Sequence, residues 1–391
     1  MWQKIKNFYH LLVAVLANLI FWFPAKKLIV IGVTGTDGKT TTVNLIYHIL
    51  KSCGKSVSMI SSISAVIDGK TFDTGFHVTT PSSFSLQKFI RRAVNAKSKY
   101  FVLEVTSHAL DQNRAFAIPF EVGVLTNITH EHLDYHKTYE NYVKTKAILL
   151  KISKIAIVNK DDQSYRLISN FKFLRTKLIT YGLKNNSDVN PGNFPFKTTL
   201  IGEFNRYNVL AAISACRALG IGDRAIAEGI ESFVPPTGRA DIVFKKDFTV
   251  MIDFAHTPNS IEQILKSVRP IVRGKIIHVF GSAGLRDEAK RPVMGKNSAQ
   301  YADILILTAE DPRSESVDQI NRQIESGIIN KKIKILKISD RKEAIEKAIK
   351  MAKKGDFVLI TGKSHEKSMN YGHGEVSWDE YAVTREALEN K

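Results

Sequence analysis

Short apolar runs alternate with helical patterns along most of the chain, beginning near residue 28. Residues 39–52, 83–96, 139–150 and 205–220 carry apolar side chains at helical spacing. The runs between them have the length and β-branched content of buried strands: "KLIVIGVTG", "SVSMIS", "YFVLEVTS", "EVGVLTNI", "KIAIVNK" and "KLITYG". Strands that are apolar on both faces and are joined by helices predict a mostly parallel sheet covered on both sides.

The pattern is interrupted once, at "SFVPPTGRAD" (residues 232–241), where two prolines and a glycine follow a helical stretch. Beyond it, "DIVFKKDFTVMIDF" predicts a hairpin, and "KIIHVF", "ADILILT", "KIKILKI" and "DFVLIT" predict further strands. The predicted fold class is therefore α/β, with two domains. A P-loop-containing central domain with a mostly parallel sheet occupies 28–236, and a C-terminal Rossmann-like α/β domain without a P-loop occupies 237–391.

The segment "FYHLLVAVLANLIFWFP" (residues 8–24) contains no lysine, arginine or acidic residue, and lysines flank it on both sides. A helix that is apolar on all sides must be buried in protein or in lipid. Its length is marginal for a bilayer core of roughly 30 Å, and no signal-peptide cleavage site follows it. Residues 1–27 therefore predict an apolar helix that either contacts a membrane or packs on the protein, and both alternatives stay open.

Charge and cysteine content narrow the classes of partner. Lys+Arg 56 against Asp+Glu 38 gives a net charge of +18, which favours phosphorylated substrates, nucleic acid or an anionic membrane surface. No nucleic-acid-binding motif accompanies the charge, so we expect no nucleic-acid partner. Cys53 and Cys216 lack metal-ligand spacing and predict free thiols in a reducing compartment.

The turn "GVTGTDGKTTT" (residues 32–42) resembles a phosphate-binding loop with irregular spacing. A Walker A loop would place its first glycine at Val33, whereas the glycines are Gly32 and Gly35. Backbone N–H groups at a helix N-terminus bind anions, and a lysine there reaches the phosphates. A tight strand-to-helix turn with an exposed lysine is the alternative. The candidate nucleotide-binding residues are Gly35, Thr36, Asp37, Gly38, Lys39, Thr40 and Thr41.

Two further stretches carry candidate metal ligands. Glu104 ends a strand of the buried type, at the edge of a parallel sheet where ligands bind. After the next strand, "THEHLDYH" brings together His130, Glu131, His132, Asp134 and His136, residue types that bind metals. For His130 and His136, a polar loop that is rich in histidine by chance is a credible alternative.

These motifs, taken in order, resemble those of the Mur ligases, and they are most similar to the UDP-N-acetylmuramyl-tripeptide synthetases. The similarity runs from about residue 28 to 388 and rests on "GTDGKTTT", "TTP", "EVTSHALDQNR", "TNITHEHLDYH", "YVKTK", "GEFNRYNVLAA", "TGR", "DFAHTP", "VFGSAGLRDEAKRPVMG", "AEDPRSE" and "GKSHE". The resemblance implies an ADP-forming acid–amino-acid ligase in the cytoplasm. Such enzymes add meso-diaminopimelate or L-lysine to UDP-N-acetylmuramoyl-L-Ala-D-Glu through an acyl phosphate, in peptidoglycan synthesis.

The resemblance also implies a role for individual residues. It implies ATP and two Mg²⁺ ions, one bound by Thr40 and Glu104 and the other by His132 and a carbamylated Lys146. The resemblance implies that the catalytic residues are Lys39, Glu104, His132 and Lys146. The other implied ATP contacts are Asn208, Arg239, Asp253 and His256. Positions matching the muramoyl-peptide site are Thr79, Thr80, Ser107 and Arg114, and those matching the pocket for the incoming diamino acid are Arg286, Asp311, Arg313, Gly362 and Glu366.

The chain departs from the family pattern at several positions. Asp37 and Asp311 stand where asparagine is usual, Ser364 replaces a glycine, and Ala283-Gly284-Leu285 (residues 283–285) replaces Gly-Gly-Asp. The resemblance implies that Arg313 favours diaminopimelate over lysine, because its guanidinium can pair with the distal carboxylate. Only 27 residues precede the central domain, where the family has a UDP-binding domain of about a hundred residues. We therefore expect that domain to be lacking.

Three alternatives follow from these departures. The acceptor could be different or lipid-linked, with the segment 8–24 contacting the inner face of the cell membrane. Folylpolyglutamate synthesis is disfavoured by "EVTSHALDQNR" and "EDPR". A nucleotide-binding module without ligase activity is disfavoured by the pair Lys146 and His132, which a pure switch does not need.

Overall fold

The computed structural model describes residues 2–75, 79–129, 131, 133–173, 176–184, 186–329 and 332–391. The chain divides into two compact units. Unit 1 contains the chain up to Thr199 together with Phe204–Val234, and unit 2 contains Leu200–Glu203 and Pro235–Lys391.

Unit 1 contains one large sheet and the helices that pack on its two faces. Its helices are α1 (Trp2–Ile20), α2 (Lys39–Ser52), α3 (Ser83–Asn95), α4 (Ser107–Asp111), α5 (Leu133–His136), α6 (Tyr139–Ile152), α7 (Tyr165–Ile168), α8 (Glu203–Ala218) and α9 (Asp223–Glu231). Its strands are β1 (Ile29–Thr34), β2 (Val57–Ile60), β3 (Ala65–Ile67), β4 (Lys70–Phe72), β5 (Tyr100–Glu104), β6 (Phe120–Leu125), β7 (Ile155–Asn159) and β8 (Lys177–Tyr181).

The eight strands follow the order β4-β3-β2-β5-β1-β6-β7-β8. The pairs from β2 to β8 are parallel, and β3 and β4 add an antiparallel edge. The central strands are buried along almost their whole length because helices cover both faces. This order brings the carboxyl ends of β1, β5 and β6 to one edge of the sheet. Ligands bind at such an edge in open α/β folds.

Unit 2 contains a second, smaller sheet. Its strands are β9 (Asp241–Lys245), β10 (Thr249–Asp253), β11 (Ile276–Phe280), β12 (Ile304–Leu307), β13 (Lys334–Lys337), β14 (Phe357–Thr361), β15 (Ser368–Asn370) and β16 (Glu375–Ser377). Its helices are α10 (Pro258–Val268), α11 (Lys290–Tyr301), α12 (Val317–Glu325), α13 (Arg341–Met351) and α14 (Glu380–Glu389).

The six-stranded sheet of unit 2 has the order β13-β12-β11-β14-β10-β9. All neighbours are parallel except β9, which pairs with β10 as the predicted hairpin. The predicted α/β fold class is confirmed by both sheets. The short antiparallel strands β3, β4, β15 and β16 were missed, because runs of three residues carry too little pattern to recognise.

The N-terminal segment forms α1, which packs against α3 of the same unit. The protein itself covers only one side of α1. Seven large apolar side chains on its other side remain more than half exposed. Among the described residues, no helix has the length and apolar character needed to span a bilayer.

Candidate active site

The loop between β1 and α2 leads into the N-terminus of α2, a helix of 14 residues, at the edge of the sheet where β1 ends. Gly38 is the N-cap residue, has φ 80, and offers no side chain to cap the helix. The first-turn N–H groups of a helix have no acceptor within the helix, so they favour a bound anion. Lys39 begins α2, and its Nζ donates a 2.8 Å hydrogen bond to the carbonyl oxygen of Thr36. Thr40 and Thr41 follow in the same turn.

The loop is fixed in place by the residues that follow β6. Thr126 Oγ1 donates to the carbonyl oxygen of Asp37 at 2.7 Å, and Asn127 Oδ1 accepts from the Asp37 N–H at 2.9 Å. Neither Gly35 nor Gly38 could carry a side chain here. A Cβ on Gly35 would lie 1.8 Å from Thr126 Oγ1, and one on Gly38 would lie 2.2 Å from Asn208 Oδ1. The loop conformation is therefore determined before any ligand binds.

Glu104 lies at the end of β5, one strand away from the loop. Its carboxylate accepts hydrogen bonds from Thr40 Oγ1 at 3.0 Å and from Ser62 Oγ at 2.8 Å. The Ser62 N–H donates a further bond of 2.9 Å to the same carboxylate. A buried carboxylate surrounded by hydroxyl groups supplies the hard oxygen ligands that Mg²⁺ prefers. These residues fit a magnesium ion.

Lys146 lies in the middle of α6 and is 1% exposed. Its Nζ donates to the carbonyl oxygen of Gly35 at 2.7 Å and sits 4.5 Å from the centre of the Tyr142 ring. Burial, reinforced by Lys39, holds the pKa of Lys146 well below its ordinary value, although Asp37 and Glu104 act in the opposite direction. A lysine in this position favours the neutral amine.

The predicted peptide-binding residues of unit 1 surround the same edge. Thr80 Oγ1 donates to the carbonyl oxygen of Glu104 at 3.0 Å, and Arg114 Nη1 donates to the carbonyl oxygen of Thr80 at 2.9 Å. Thr79 Oγ1 lies 3.4 Å from Ser62 Oγ. Ser107, the first residue of α4, pairs with the ring of His136 at 3.0 Å. Burial lowers the pKa of Arg114.

Only part of the histidine-rich stretch belongs to the described residues. His130 and His132, including the predicted ligand of a second metal ion, lie outside the described residues. His136 is buried against Ser107 and the ring of Tyr142, where it supports the neighbouring helices. In the described part of the chain, no group of three or more His, Cys, Asp or Glu side chains is arranged to hold a metal ion.

In unit 2, three of the predicted ATP contacts lie near the end of β10. Asp253 accepts 2.7 Å hydrogen bonds from the backbone N–H groups of Ala240 and Ala255. The guanidinium of Arg239 lies 4.6 Å from the centre of the Phe254 ring. Burial, and then Lys290, lower the pKa of His256 to about 4, so this ring is neutral at pH 7. The fourth, Asn208, belongs to α8 of unit 1, beside Gly38.

The predicted amino-acid pocket of unit 2 is organised by a buried lysine. Lys363 Nζ donates to Asp311 Oδ1 at 2.8 Å and to Glu366 Oε2 at 2.6 Å. Arg313 Nη1 donates to the carbonyl oxygen of Gly284 at 2.9 Å. Burial lowers the pKa of Arg313, and the charge of Arg286 lowers it further. Two guanidinium groups that repel each other favour a bound carboxylate between them.

Gly362 precedes Lys363 with φ 109, and a Cβ there would lie 2.5 Å from Glu310 Oε2. That carboxyl oxygen is buried and accepts no hydrogen bond from the described residues. Burial raises the pKa of Glu310 to about 8, against the opposing charges of Lys290, Arg341 and Lys363. An acid in this state carries its proton at pH 7.

Sequence comparison decides the family. The sequence model of the Mur ligase middle domain matches residues 33–216, and that of the Mur ligase glutamate ligase domain matches residues 238–364. The UDP-N-acetylmuramoyl-L-alanyl-D-glutamate–2,6-diaminopimelate ligase 1 of Clostridium acetobutylicum is 38% identical over 386 residues, which span 93% of this chain and 79% of that protein. The corresponding ligase of Synechocystis is 39% identical, over 95% of this chain and 78% of that protein.

The chain belongs to the Mur ligase family. A solved diaminopimelate ligase of this kind is 29% identical and superposes with a TM-score of 0.61, covering 93% of this chain and 78% of that one. A pseudomurein peptide ligase from Methanothermus fervidus, at 21% identity and a TM-score of 0.69 over 93% of this chain and 79% of its own, shares the fold. The predicted family and enzyme class are confirmed, so this Mur ligase is an ATP-dependent ligase.

Several residues of the Mur ligase site were missed by sequence reasoning. Ser62 follows a predicted strand without any motif, and its contact with Glu104 depends on the strand order. Asn127 stands inside "TNITHEH" and Lys363 inside "GKSHE". Their positions within these motifs were a signal that could have identified them.

Proposed function

We propose that this Mur ligase adds meso-diaminopimelate to a UDP-N-acetylmuramoyl-L-Ala-D-Glu-type acceptor, in peptidoglycan precursor synthesis. The observation that carries the proposal is the pocket of unit 2, where Arg313 and Arg286 lie close enough to interact and Lys363 joins Asp311 to Glu366. Diaminopimelate carries a second ammonium and a second carboxylate at its distal end. The two arginines suit the distal carboxylate, and the two acidic residues suit the distal ammonium. L-lysine lacks the distal carboxylate.

The reaction proceeds in two steps. The terminal phosphoryl group of ATP is transferred to an oxygen of the acceptor's carboxylate, which gives an acyl phosphate and ADP. The amine of the incoming amino acid then attacks the carbonyl carbon, the bond from that carbon to the phosphate oxygen breaks, and the nitrogen releases a proton. The products are an amide and inorganic phosphate.

The residues of unit 1 act mainly by position and charge. Lys39 and the N–H groups of residues 35–41 bind the phosphates, and the open N-terminus of α2 stabilises the charge on them. Thr40 and Glu104 would hold one Mg²⁺, and the ion would neutralise phosphate charge there. In unit 2, Arg239, Asp253 and His256 are the proposed ATP contacts, and in unit 1 Asn208 of α8 is the proposed contact beside Gly38.

A second Mg²⁺ is assigned to His132 and to the carbamate of Lys146. The neutral amine is the form of lysine that reacts with CO₂, and the depressed pKa of Lys146 supports that modification. A carbamate supplies an anionic oxygen ligand, whereas an ammonium would repel the ion.

The acceptor's peptide is assigned to the residues around Thr80. Arg114, a half-buried cation bonded to the carbonyl oxygen of Thr80, suits an acceptor carboxylate. Thr79 and Ser107 supply hydroxyl groups beside it. A cytoplasmic location, peripheral to the inner face of the cell membrane through residues 8–24, completes the proposal, and it keeps a lipid-linked acceptor as the second candidate.

The test is release of phosphate from ATP by the purified chain, with UDP-N-acetylmuramoyl-L-Ala-D-Glu as acceptor. Diaminopimelate, L-lysine and no amine are supplied in parallel. We expect turnover that depends on both acceptor and amine and is fastest with diaminopimelate.

Arg313→Ala should lower kcat/KM for diaminopimelate about tenfold or more, with less effect on lysine. Arg273→Ala, an exposed arginine of the same unit, is the control. Turnover without amine, or a preference for lysine, contradicts the proposal.

A further inference from the structure

α1 exposes its more apolar side and covers its more polar side. The residues of α1 that unit 1 covers completely are small or polar, namely Ala14, Ala17 and Asn18, whereas Leu11, Val13 and Val15 are only partly covered. The exposed side carries large apolar residues, each between 51% and 64% exposed: Ile5, Phe8, Tyr9, Leu12, Leu16, Leu19 and Ile20. At 100° per residue these seven fall on one continuous stripe, which we call the outer face. A helix that only stabilised its own domain would have the opposite arrangement.

The inner side of α1 is fixed to unit 1 by specific hydrogen bonds. Asn18 Nδ2 donates to the carbonyl oxygen of Phe116 at 3.1 Å, and Asn7 Nδ2 donates to Asp111 Oδ2 at 3.0 Å. At the C-terminal end of the helix, Arg91 of α3 donates to the carbonyl oxygen of Phe21. These contacts determine which side of α1 is exposed. The orientation of α1, and with it the exposure of the outer face, is therefore fixed by the fold.

The end of α1 adds an exposed aromatic residue. Trp22 and Phe23 both adopt positive φ, at 55 and 46 degrees, which is unfavourable for aromatic side chains. The turn leaves Trp22 81% exposed, beside the outer face. Tryptophan is enriched where proteins meet the headgroup layer of a bilayer. Eight of the twenty large apolar side chains that the described residues expose thus lie within residues 5–22.

Charge indicates which surface the outer face binds. The first 36 residues contain four lysines and no acidic residue. Lys26 and Lys27 are exposed directly after the helix, and Lys88 and Arg92 are exposed on α3, which packs against α1. The helices α1 and α3 contain basic residues and no acidic residue, so the apolar stripe is complementary to a bilayer that contains anionic phospholipids.

We propose that the outer face of α1 docks this enzyme on an anionic phospholipid bilayer, with the helix lying in the plane of the interface. The length of α1, 19 residues or about 28 Å, is then parallel to the surface. The segment between Asp111 and Phe116, to which α1 is bonded, contains Arg114. Docking therefore brings the acceptor-binding segment close to the membrane. The inference does not depend on the proposed reaction, because vesicle binding requires no substrate.

The test is flotation of the full chain with vesicles of phosphatidylcholine alone or mixed with phosphatidylglycerol. We expect binding to the mixed vesicles that weakens with salt, and little binding to the neutral ones. Leu12→Gln/Leu16→Gln should reduce binding about tenfold or more, because both leucines leave the apolar stripe. Ile329→Gln/Val376→Gln, which changes exposed apolar residues of unit 2, should leave binding unchanged.

Two further measurements keep the result decisive. The tryptophan fluorescence of the protein, which has three tryptophans, should shift to the blue with anionic vesicles, and the shift should be smaller in Trp22→Phe. Sedimentation velocity without lipid tests the alternative occupant, a second copy of the chain. The inference is overturned if the wild-type protein does not float with anionic vesicles, or if Leu12→Gln/Leu16→Gln floats equally well. It is also overturned if that variant abolishes a dimer while no vesicle binding is seen.

Discussion

The side-chain nitrogen of Lys146 lies 2.7 Å from the carbonyl oxygen of Gly35, to which it donates a hydrogen bond. This contact joins the middle of α6 to the loop that precedes α2. Burial makes the ammonium form costly, and the carbonyl oxygen accepts from a neutral amine as well. The contact therefore holds the side-chain nitrogen of Lys146 beside the proposed phosphate site.

We predict that Lys146→Ala lowers amine-dependent phosphate release about a hundredfold or more, because an anionic ligand of the proposed second ion is lost. Added acetate or formate should restore part of the activity by replacing the carbamate. Lys144→Ala, which changes an exposed lysine of the same helix, should behave like the wild-type enzyme. Wild-type turnover by Lys146→Ala would remove this residue from the site.

A second prediction separates backbone strain from steric conflict at Gly38. Gly38 and Gly54 have similar φ, at 80 and 70 degrees, but a Cβ on Gly54 meets nothing within 4 Å. Gly54→Ala should therefore lower the free energy of unfolding by only about 1 kcal/mol. In Gly38→Ala the new methyl group meets Asn208, whose buried side chain is held by Asn205.

Gly38→Ala should cost at least about 2–3 kcal/mol and weaken ATP binding. Urea unfolding and ATP titration of the two variants measure both effects. Equal stability of the two variants would show that Asn208 moves aside at little cost.

The sequence predicted the sheet strands because each parallel strand is a continuous apolar run, and the start of α2 because a glycine and a lysine mark it. It did not predict the contact of Ser62 with Glu104. That contact joins the ends of β2 and β5, which are 42 residues apart in the chain, and it exists because those strands are neighbours. Strand order follows from the packing of the whole unit, which local patterns do not encode.

Which side of α1 the protein covers could not be predicted either. Its few polar positions, among them Asn7 and Asn18, recur on one side at helical spacing, and the usual arrangement would place that side in solvent. Asn7 and Asn18 turned out to mark the inner side because each finds a partner in a distant segment. The sequence identified the segment as unusual, and only the fold could tell which side is covered.

A third prediction concerns the charge cluster at Lys363. This lysine is fully buried and contacts both Asp311 and Glu366. Lys363→Met leaves two largely buried carboxylates without their cation and should lower the free energy of unfolding by about 3–5 kcal/mol. Lys367→Met, at an exposed neighbour, should change it by less than about 0.5 kcal/mol.

A compensating variant makes this prediction sharper. Neutralising both acids, in Asp311→Asn/Lys363→Met/Glu366→Gln, should recover part of the stability that Lys363→Met loses. Chemical denaturation of the three proteins gives the comparison. If the triple variant is less stable than Lys363→Met, the cost arises from lost packing of the lysine stem and not from unpaired charge.

The fourth prediction is a pH dependence that originates at Glu310. Burial raises the pKa of Glu310 to about 8 in the folded protein, whereas a glutamate in the unfolded chain has a pKa near 4.5. Between these pH values the folded protein retains a proton that the unfolded chain has lost, so the free energy of unfolding contributed by Glu310 falls as pH rises.

Glu310→Gln carries no such proton. Relative to this variant, the wild-type protein should lose about 3–5 kcal/mol between pH 4.5 and pH 8, at about 1.4 kcal/mol per unit. Urea unfolding of both proteins at intervals across this range measures the difference. A difference that is independent of pH would mean that Glu310 is ionised in the folded protein, paired with a cation such as Lys290.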